Sequence, residues 1–354
     1  MKQIKWGAGI GSMSGLSTYL GVCEYAKNHG LDTFRVFNLF DKGWSEDKIV
    51  AKIKSLTFYN TAKVLIGFNS FPYEYLSNYD LSILTPKQQS MAQYTNRFYP
   101  TDIEDFKNKI MSLLYKFQVA GIMNSLSFEI MEEPDSTNKF WGTFDEFKSI
   151  SLVLKNILKP YGRPIYHADF TSSLMRNSSY KNKEHFLDYI ETSSIFNDVI
   201  FSHSFYWEDS GGTFNPVSNT YPNRTFSDSI ISEYNMYIGY NEGSTKDLSQ
   251  NSSIYVNKLC ALLKFIYDKP ISRIFVHPLC DYNLSADGQG KMGIYKRNVT
   301  GDNKVYFTIK PSGTMLYQVM DVVKFGYSVS GDNIVGIFKS IVFDQNSNWT
   351  ITNN

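Results

Sequence analysis

Chemistry in this chain gathers where apolar runs stop at acids. In Ser127-Phe128-Glu129-Ile130-Met131-Glu132-Glu133-Pro134-Asp135, a strand-like segment delivers adjacent carboxylates against a proline, which cannot donate to a sheet ladder. Ile230-Ile231-Ser232-Glu233-Tyr234-Asn235 again runs apolar residues into one glutamate. A Glu-Glu-Pro by itself describes a solvated turn equally well. Two acids at two strand ends are what glycoside hydrolysis needs, one on each side of a sugar. Glu133 and Glu233 are therefore the candidate catalytic pair.

Other residues with chemical capacity stand at similar places. Arg35 lies inside the apolar segment 33–38, where it could hold a carboxylate ionised or form a structural ion pair with Glu129. His203, Tyr206 and Trp207 close the segment 198–207, His167 and Asp169 close 163–169, and His277 follows 273–276. Trp141 and Trp207 offer faces on which a sugar ring could stack, although each could equally pack in a core. Three histidines could also ligate a metal, but their spread over the chain gives no metal-ligand spacing.

The elements that must position these groups read as an alternation. Apolar segments 4–11, 33–38, 64–68, 127–131, 163–169, 198–207, 230–234 and 273–277 alternate with helical patterns at 16–28, 45–58, 101–120, 143–158, 182–196 and 254–267. Eight such strands predict an α/β fold of the (β/α)8 TIM-barrel type, in which loops after the strands carry the active site. Residues 1–326 form this barrel in the reading. Beyond a last helix at 313–323, residues 327–354 alternate like short strands and are expected to form a small β appendage. Two long polar connections, 73–99 and 208–226, are expected to wall the cleft.

Composition bounds the remaining possibilities. The chain has 354 residues, of which 42% are hydrophobic and 19% charged, enough for one barrel-sized core. A formal net charge of +1, with no basic cluster, gives no footprint for nucleic acid or for anionic membrane. No apolar run reaches the ~20 residues that span a bilayer, and residues 1–7 lack the pattern of a signal peptide. A soluble protein is expected, in the cytoplasm or, as a mature or virion-borne form, outside the cell. Cys23, Cys260 and Cys280 fit neither a disulfide framework nor a zinc cluster and read as free core thiols.

The segment 128–134 with Phe140-Trp141 resembles the Phe-Glu-Val-Trp-Asn-Glu-Pro and Phe-Trp motifs of glycoside hydrolase family 39, in the clan of (β/α)8 retaining glycosidases. Leu65-Ile66-Gly67-Phe68 with Pro72, the segment 201–206, and Ile231-Ser232-Glu233-Tyr234-Asn235 are similar to its strand-three, strand-six and strand-seven motifs. The resemblance implies Glu133 as general acid/base and Glu233 as nucleophile, and puts His203 and Tyr206 where the family has groups that touch the nucleophile and the sugar; Arg35, Glu132, Trp141, His167, Trp207 and His277 are further candidates, by their places in the chain, to surround a glycan substrate. It implies neither cofactor nor metal. This chain departs from the pattern at Glu132, where the family has an asparagine that can donate to the substrate's 2-hydroxyl, and at His277, where many relatives have tryptophan.

The expectation is thus a retaining O-glycosidase acting on an oligosaccharide or polysaccharide. A barrel that has lost turnover and serves as a carbohydrate-binding or surface or virion protein is the first rival. A metal-dependent hydrolase is the second, and it would require His167, His203 and His277 to converge.

Overall fold

The structure, a computed structural model, describes residues 1–12, 16–171, 174, 183–210, 213–216, 221–237, 252–281, 293–302 and 304–354. Eight parallel strands form the centre: β1 (Lys5–Ser12), β2 (Leu31–Phe37), β3 (Lys63–Phe68), β4 (Leu126–Ile130), β5 (Ile165–Phe170), β6 (Ile200–Ser210), β7 (Ser229–Tyr237) and β8 (Ile271–Val276). Each pairs with the next in chain order, and β8 pairs with β1, which closes the sheet into a barrel. Helices α1 (Leu16–Asn28), α2 (Glu46–Leu56), α3 (Ile103–Val119), α4 (Phe144–Leu158), α5 (Lys183–Thr192) and α6 (Ser252–Phe265) lie between consecutive strands. No helix among the described residues is long and apolar enough to cross a membrane.

Local sequence explains where these helices start. Ser45 accepts a hydrogen bond from the Lys48 N–H at the head of α2, and Glu46 and Asp47 occupy its first turn. Thr143 and Glu146 form a reciprocal capping box on α4, in which Phe147, Ile150, Leu154 and Leu158 are buried at helical spacing.

Two kinds of material fill the bore. Leu65, Ile230 and Phe275, with Tyr166 and Ile200 packed against them, make an apolar plug. Tyr166, Ile200 and Ile230 each fall within the first two residues of their strands, so the plug occupies the N-terminal end. Toward the C-terminal ends the interior turns polar, with Arg35, Glu129, Asp169, Ser202, Ser204 and Ser232 all buried. On β1, Gly7 and Gly9 make room for neighbours across the strand pair: a Cβ would stand 2.6 Å from the Phe275 ring at Gly7 and 2.1 Å from His277 Nδ1 at Gly9.

The connection 73–99 is more structured than its polarity implies. It holds two short 3-10 turns and a helix at Pro86–Ala92 with its own capping box. Leu76, Leu84, Ala92 and Phe98 form a small separate core there, with Tyr73, Tyr79 and Trp141 packed on it. Residues 211–212 and 217–220 of the connection 208–226 lie outside the described residues; within it Thr213–Pro216 pairs antiparallel with the end of β6.

After β8 comes a hairpin, β9 (Tyr295–Val299) and β10 (Val305–Ile309), then α7 (Pro311–Val323). A four-stranded antiparallel sheet ends the chain: β11 (Tyr327–Ser330), β12 (Asn333–Gly336), β13 (Lys339–Phe343) and β14 (Trp349–Asn353). The segment 334–343, which reads as one strand, is two, because the chain reverses at Ile337-Phe338 and leaves both side chains exposed. All three cysteines are free and buried.

Candidate active site

Arg35, completely buried on β2, is the hub of the polar layer. Its Nε donates to Glu129 on β4 at 2.6 Å, Nη1 to Glu233 on β7 at 2.6 Å, and Nη2 to Asp169 on β5 at 2.5 Å. The fixed fork of a guanidinium suits such a three-way contact, whereas a lysine's single nitrogen would not reach all three partners. Serines complete the acceptors: Ser202 donates to Glu129 at 2.8 Å, and Ser204 and Ser232 donate to Asp169.

This surrounding divides the carboxyls. Burial pushes Asp169 and Glu129 upward, and the attraction of Arg35 only partly offsets it. Burial also opposes ionisation of Glu233, but the neighbouring His277 ring and Arg35 outweigh it and hold this carboxyl below its ordinary value. Tyr206 adds a hydrogen bond to Glu233 Oε2 at 2.6 Å, and His277 Nε2 stands 3.7 Å from Oε1. Negative charge is thereby favoured on the carboxylate of Glu233, midway along β7.

Glu133 is held in the opposite state. The chain leaves β4 through two residues of positive φ, Met131 and Glu133, and the Glu133 N–H donates to the Asp169 carbonyl at 3.0 Å. Burial, helped by repulsion from Glu233, Glu132 and Asp135, raises its carboxyl to about 8 against the pull of Lys139. Its side chain is 18% exposed, against none for that of Glu132.

Glu132, the neighbour, is buried and engaged. Its Oε1 accepts from Lys139 Nζ at 2.9 Å, its Oε2 accepts from Asn69, and Arg97 stands 3.9 Å away. Burial would raise this carboxyl, but Lys139, Arg35 and Arg97 together bring it down to about 2. Arg97 in turn donates to the Asn69 carbonyl and to Asn38 Oδ1 at 2.7 Å, which ties the ends of β2 and β3 to the loop after β4.

The structure brings Arg35, Glu132, Glu133, Tyr206, Glu233 and His277 together and turns His167, His203 and Trp207 away from them. His167 points out of the barrel wall, bonded to the Ile130 carbonyl at 3.0 Å and the Tyr189 hydroxyl at 2.7 Å and stacked between Phe147 and Phe196. His203 stacks on Phe201 and meets the edge of Tyr221, and Trp207 packs on Phe205 beneath Lys258 of α6. The cause is the strand period of two: on β6, Ser202, Ser204 and Tyr206 face the bore, so His203 and Trp207 must face the helices. Burial lowers both imidazoles, His167 and His203, to about 4. Trp141 lies half-buried against Phe98 in the small core of the 73–99 connection.

The role of Arg35 is likewise corrected. All of its directed nitrogens are spent on carboxylates in the interior, so it positions Glu233 and does not meet a substrate. The histidines do not converge for a metal. Among the described residues, the carboxylates of Glu132, Asp169 and Glu233 do present oxygens within 4.8 Å of one another, but Arg35 and Lys139 already balance their charge.

Lys139, Asn69, Arg97 and the inward serines are site residues that the sequence reading did not single out. The serines carried a legible signal, since Ser202, Ser204 and Tyr206 alternate with Phe201, His203, Phe205 and Trp207. Lys139 carried none, because a lysine in a polar loop has no periodicity to mark it.

No protein-family model matches the sequence, and no curated protein matches it. Solved structures do. A family 1 β-glucosidase from Thermotoga maritima matches with a TM-score of 0.54 at 12% identity, over 92% of this chain and 98% of its own. SrfJ from Salmonella typhimurium matches with a TM-score of 0.56 at 10% identity, over 98% of this chain and 81% of its own. A β-glucosidase from Exiguobacterium marinum gives 0.50 at 11% identity, over 91% and 99%. At such identities the likeness is one of fold, and what this chain shares with these proteins is a closed, eight-stranded (β/α)8 barrel.

Proposed function

We propose that this protein is a retaining O-glycoside hydrolase of the (β/α)8 clan, with Glu133 as general acid/base and Glu233 as nucleophile. One observation carries the reading: Glu133, just past the end of β4, and Glu233, midway along β7, have surroundings that push their carboxyls in opposite directions, the first upward and the second downward. A retaining mechanism needs a neutral acid to protonate the leaving oxygen and an ionised carboxylate to attack the anomeric carbon, about 5–5.5 Å apart across the bond. Glu133, raised to about 8, fits the first task, and Glu233, bonded to Arg35 and Tyr206, fits the second. The glycosidase-like barrel and the strand-end resemblance to family 39 support the same reading.

In the first step Glu233 attacks the anomeric carbon while Glu133 gives its proton to the departing oxygen, which leaves a covalent glycosyl ester on Glu233. Glu133, now ionised, takes a proton from water, and the resulting hydroxide equivalent displaces Glu233. Tyr206 and Arg35 hold Glu233 in orientation through both steps.

The test combines a panel of chromogenic aryl glycosides with trapping by 2-deoxy-2-fluoro glycosides. Glu133→Gln and Glu233→Gln should each lower turnover by about 10²–10⁴-fold while near-UV circular dichroism stays unchanged. Mass spectrometry should find the trapped sugar on Glu233. If the intact protein turns over and traps nothing, yet both variants still bind glycans, the carbohydrate-binding reading replaces this one. Sensitivity of the turnover to a chelator would overturn the metal-free mechanism.

A further inference from the structure

Glu132 is completely buried, with one oxygen accepting from Lys139 and the other from Asn69. Lys139 is placed differently. Its side chain is 27% exposed, its Nζ lies 3.9 Å from Glu133 Oε2, and it stands 5.7 Å above the centre of the Phe37 ring. An ammonium carries three N–H donors, and the bond to Glu132 uses one.

Resting on the retaining-glycosidase reading, we propose that Lys139 is a specificity-determining residue that donates a hydrogen bond to the 2-hydroxyl of a neutral sugar ring in the cleft. The anomeric carbon must lie between Glu133 and Glu233, and C2 is bonded to it. A donor that touches Glu132 and adjoins Glu133 is therefore next to the C2 substituent. Charge decides what that substituent is. The positive Lys139 is matched by Glu132, so the two form a locally neutral unit, and Glu233 stands close by. A sulfate or carboxylate at this position would face two anions with one cation already committed, whereas a hydroxyl needs only a donor. Glu132 stays ionised at about 2 and burial fails to strip Lys139 of its proton, which keeps the pair charged across the working pH range.

Phe37 shapes the same place. Its ring lies under Lys139 and 5.2 Å from the Arg35 guanidinium, and it packs against His277 at 5.8 Å. The ammonium is thus held between an aromatic face and a buried carboxylate, which fixes the direction of its remaining N–H groups.

The experiment compares an aryl glycoside with its 2-deoxy counterpart in the intact protein, in Lys139→Met and in Lys139→Arg. For Lys139→Met, kcat/KM on the parent glycoside should fall about 10–100-fold, the scale of a lost charged hydrogen bond, and on the 2-deoxy compound by less than about threefold. Lys139→Arg should keep part of the preference for the 2-hydroxyl. Equal losses on both compounds would overturn the assignment and make Lys139 a support for Glu132 alone. Should Lys139→Met fail to fold, the double variant Lys139→Met with Glu132→Met removes the stranded carboxylate together with the donor and gives the same comparison. Absence of turnover and of trapping on Glu233 in the intact protein would instead bring down the glycosidase reading itself, a result that the Lys139 comparison cannot mimic.

Discussion

Glu133 and Glu233 are the same residue type, and only their neighbours set them apart. Glu133 has a cation at 3.9 Å but three carboxyls around it, whereas Glu233 touches a guanidinium and a phenol. In the proposed mechanism Glu133 must carry its proton to act as acid, so kcat/KM should decline as pH rises through about 8, and Glu133→Gln should remove that alkaline limb. The same group links stability to pH. Its proton is held more tightly in the fold than in the unfolded chain, so its contribution is complete below the ordinary value of 4.5 and is lost as pH rises through about 8. Urea denaturation followed over that range, for the intact protein and Glu133→Gln, measures it. Arg35→Met is expected to be far more damaging, since it leaves three interior carboxyls without their cation: a loss of about 3–5 kcal/mol or outright failure to fold, read from the same denaturation curves. At this scale the sequence showed which residues carry charge and where strands end. It left Arg35 between holding a carboxylate such as Glu233 ionised and a structural ion pair with Glu129, because which carboxylates a cation reaches depends on distances across the barrel; the structure shows both contacts.

Among the elements, β6 and β7 show how a strand decides function. The pleat sends alternate residues to the bore, and the register of β6 against β7 is irregular between His203 and Ser204, while that of β7 against β8 is irregular between Ile231 and Tyr234. The second irregularity spans Ser232 and Glu233, so that both of these neighbours reach the interior network, one to Asp169 and one to Arg35. The period-two pattern was readable in the sequence, but the break in it was not, since a bulge has no composition of its own here. β1 presents a different device, small residues that admit large partners from β8. Gly9→Ala should therefore push His277 away from Glu233 and cost about 1–3 kcal/mol by overpacking. The expected result is a lower melting temperature with a displaced acid limb of the activity profile; an unchanged profile would show that His277 does not contribute to the state of Glu233.

For the whole molecule, one apolar core runs from the barrel wall through the helices into the C-terminal sheet. Tyr327, Ile334 and Ile341 are completely buried in that core, and the Tyr327 hydroxyl donates to the Leu263 carbonyl of α6 at 2.8 Å. Removing residues 327–354 should therefore destabilise the barrel rather than free it: we expect a melting temperature lower by several degrees or an insoluble product, and an unchanged melting curve would make the sheet an independent appendage. The alternation of eight apolar segments with helical ones, the caps on α2 and α4, and the acid just past the end of β4 were determined by sequence alone, because periodicity, capping and strand termination are local properties of a chain; β7 instead runs on past Glu233 to Tyr237. The tertiary structure alone decided that His167, His203 and Trp207 turn outward, that Arg35 joins three strands, and that Lys139 reaches the carboxyl pair. Those outcomes depend on which face of a strand looks inward and on how close distant segments come, and closure of the barrel is what fixes both.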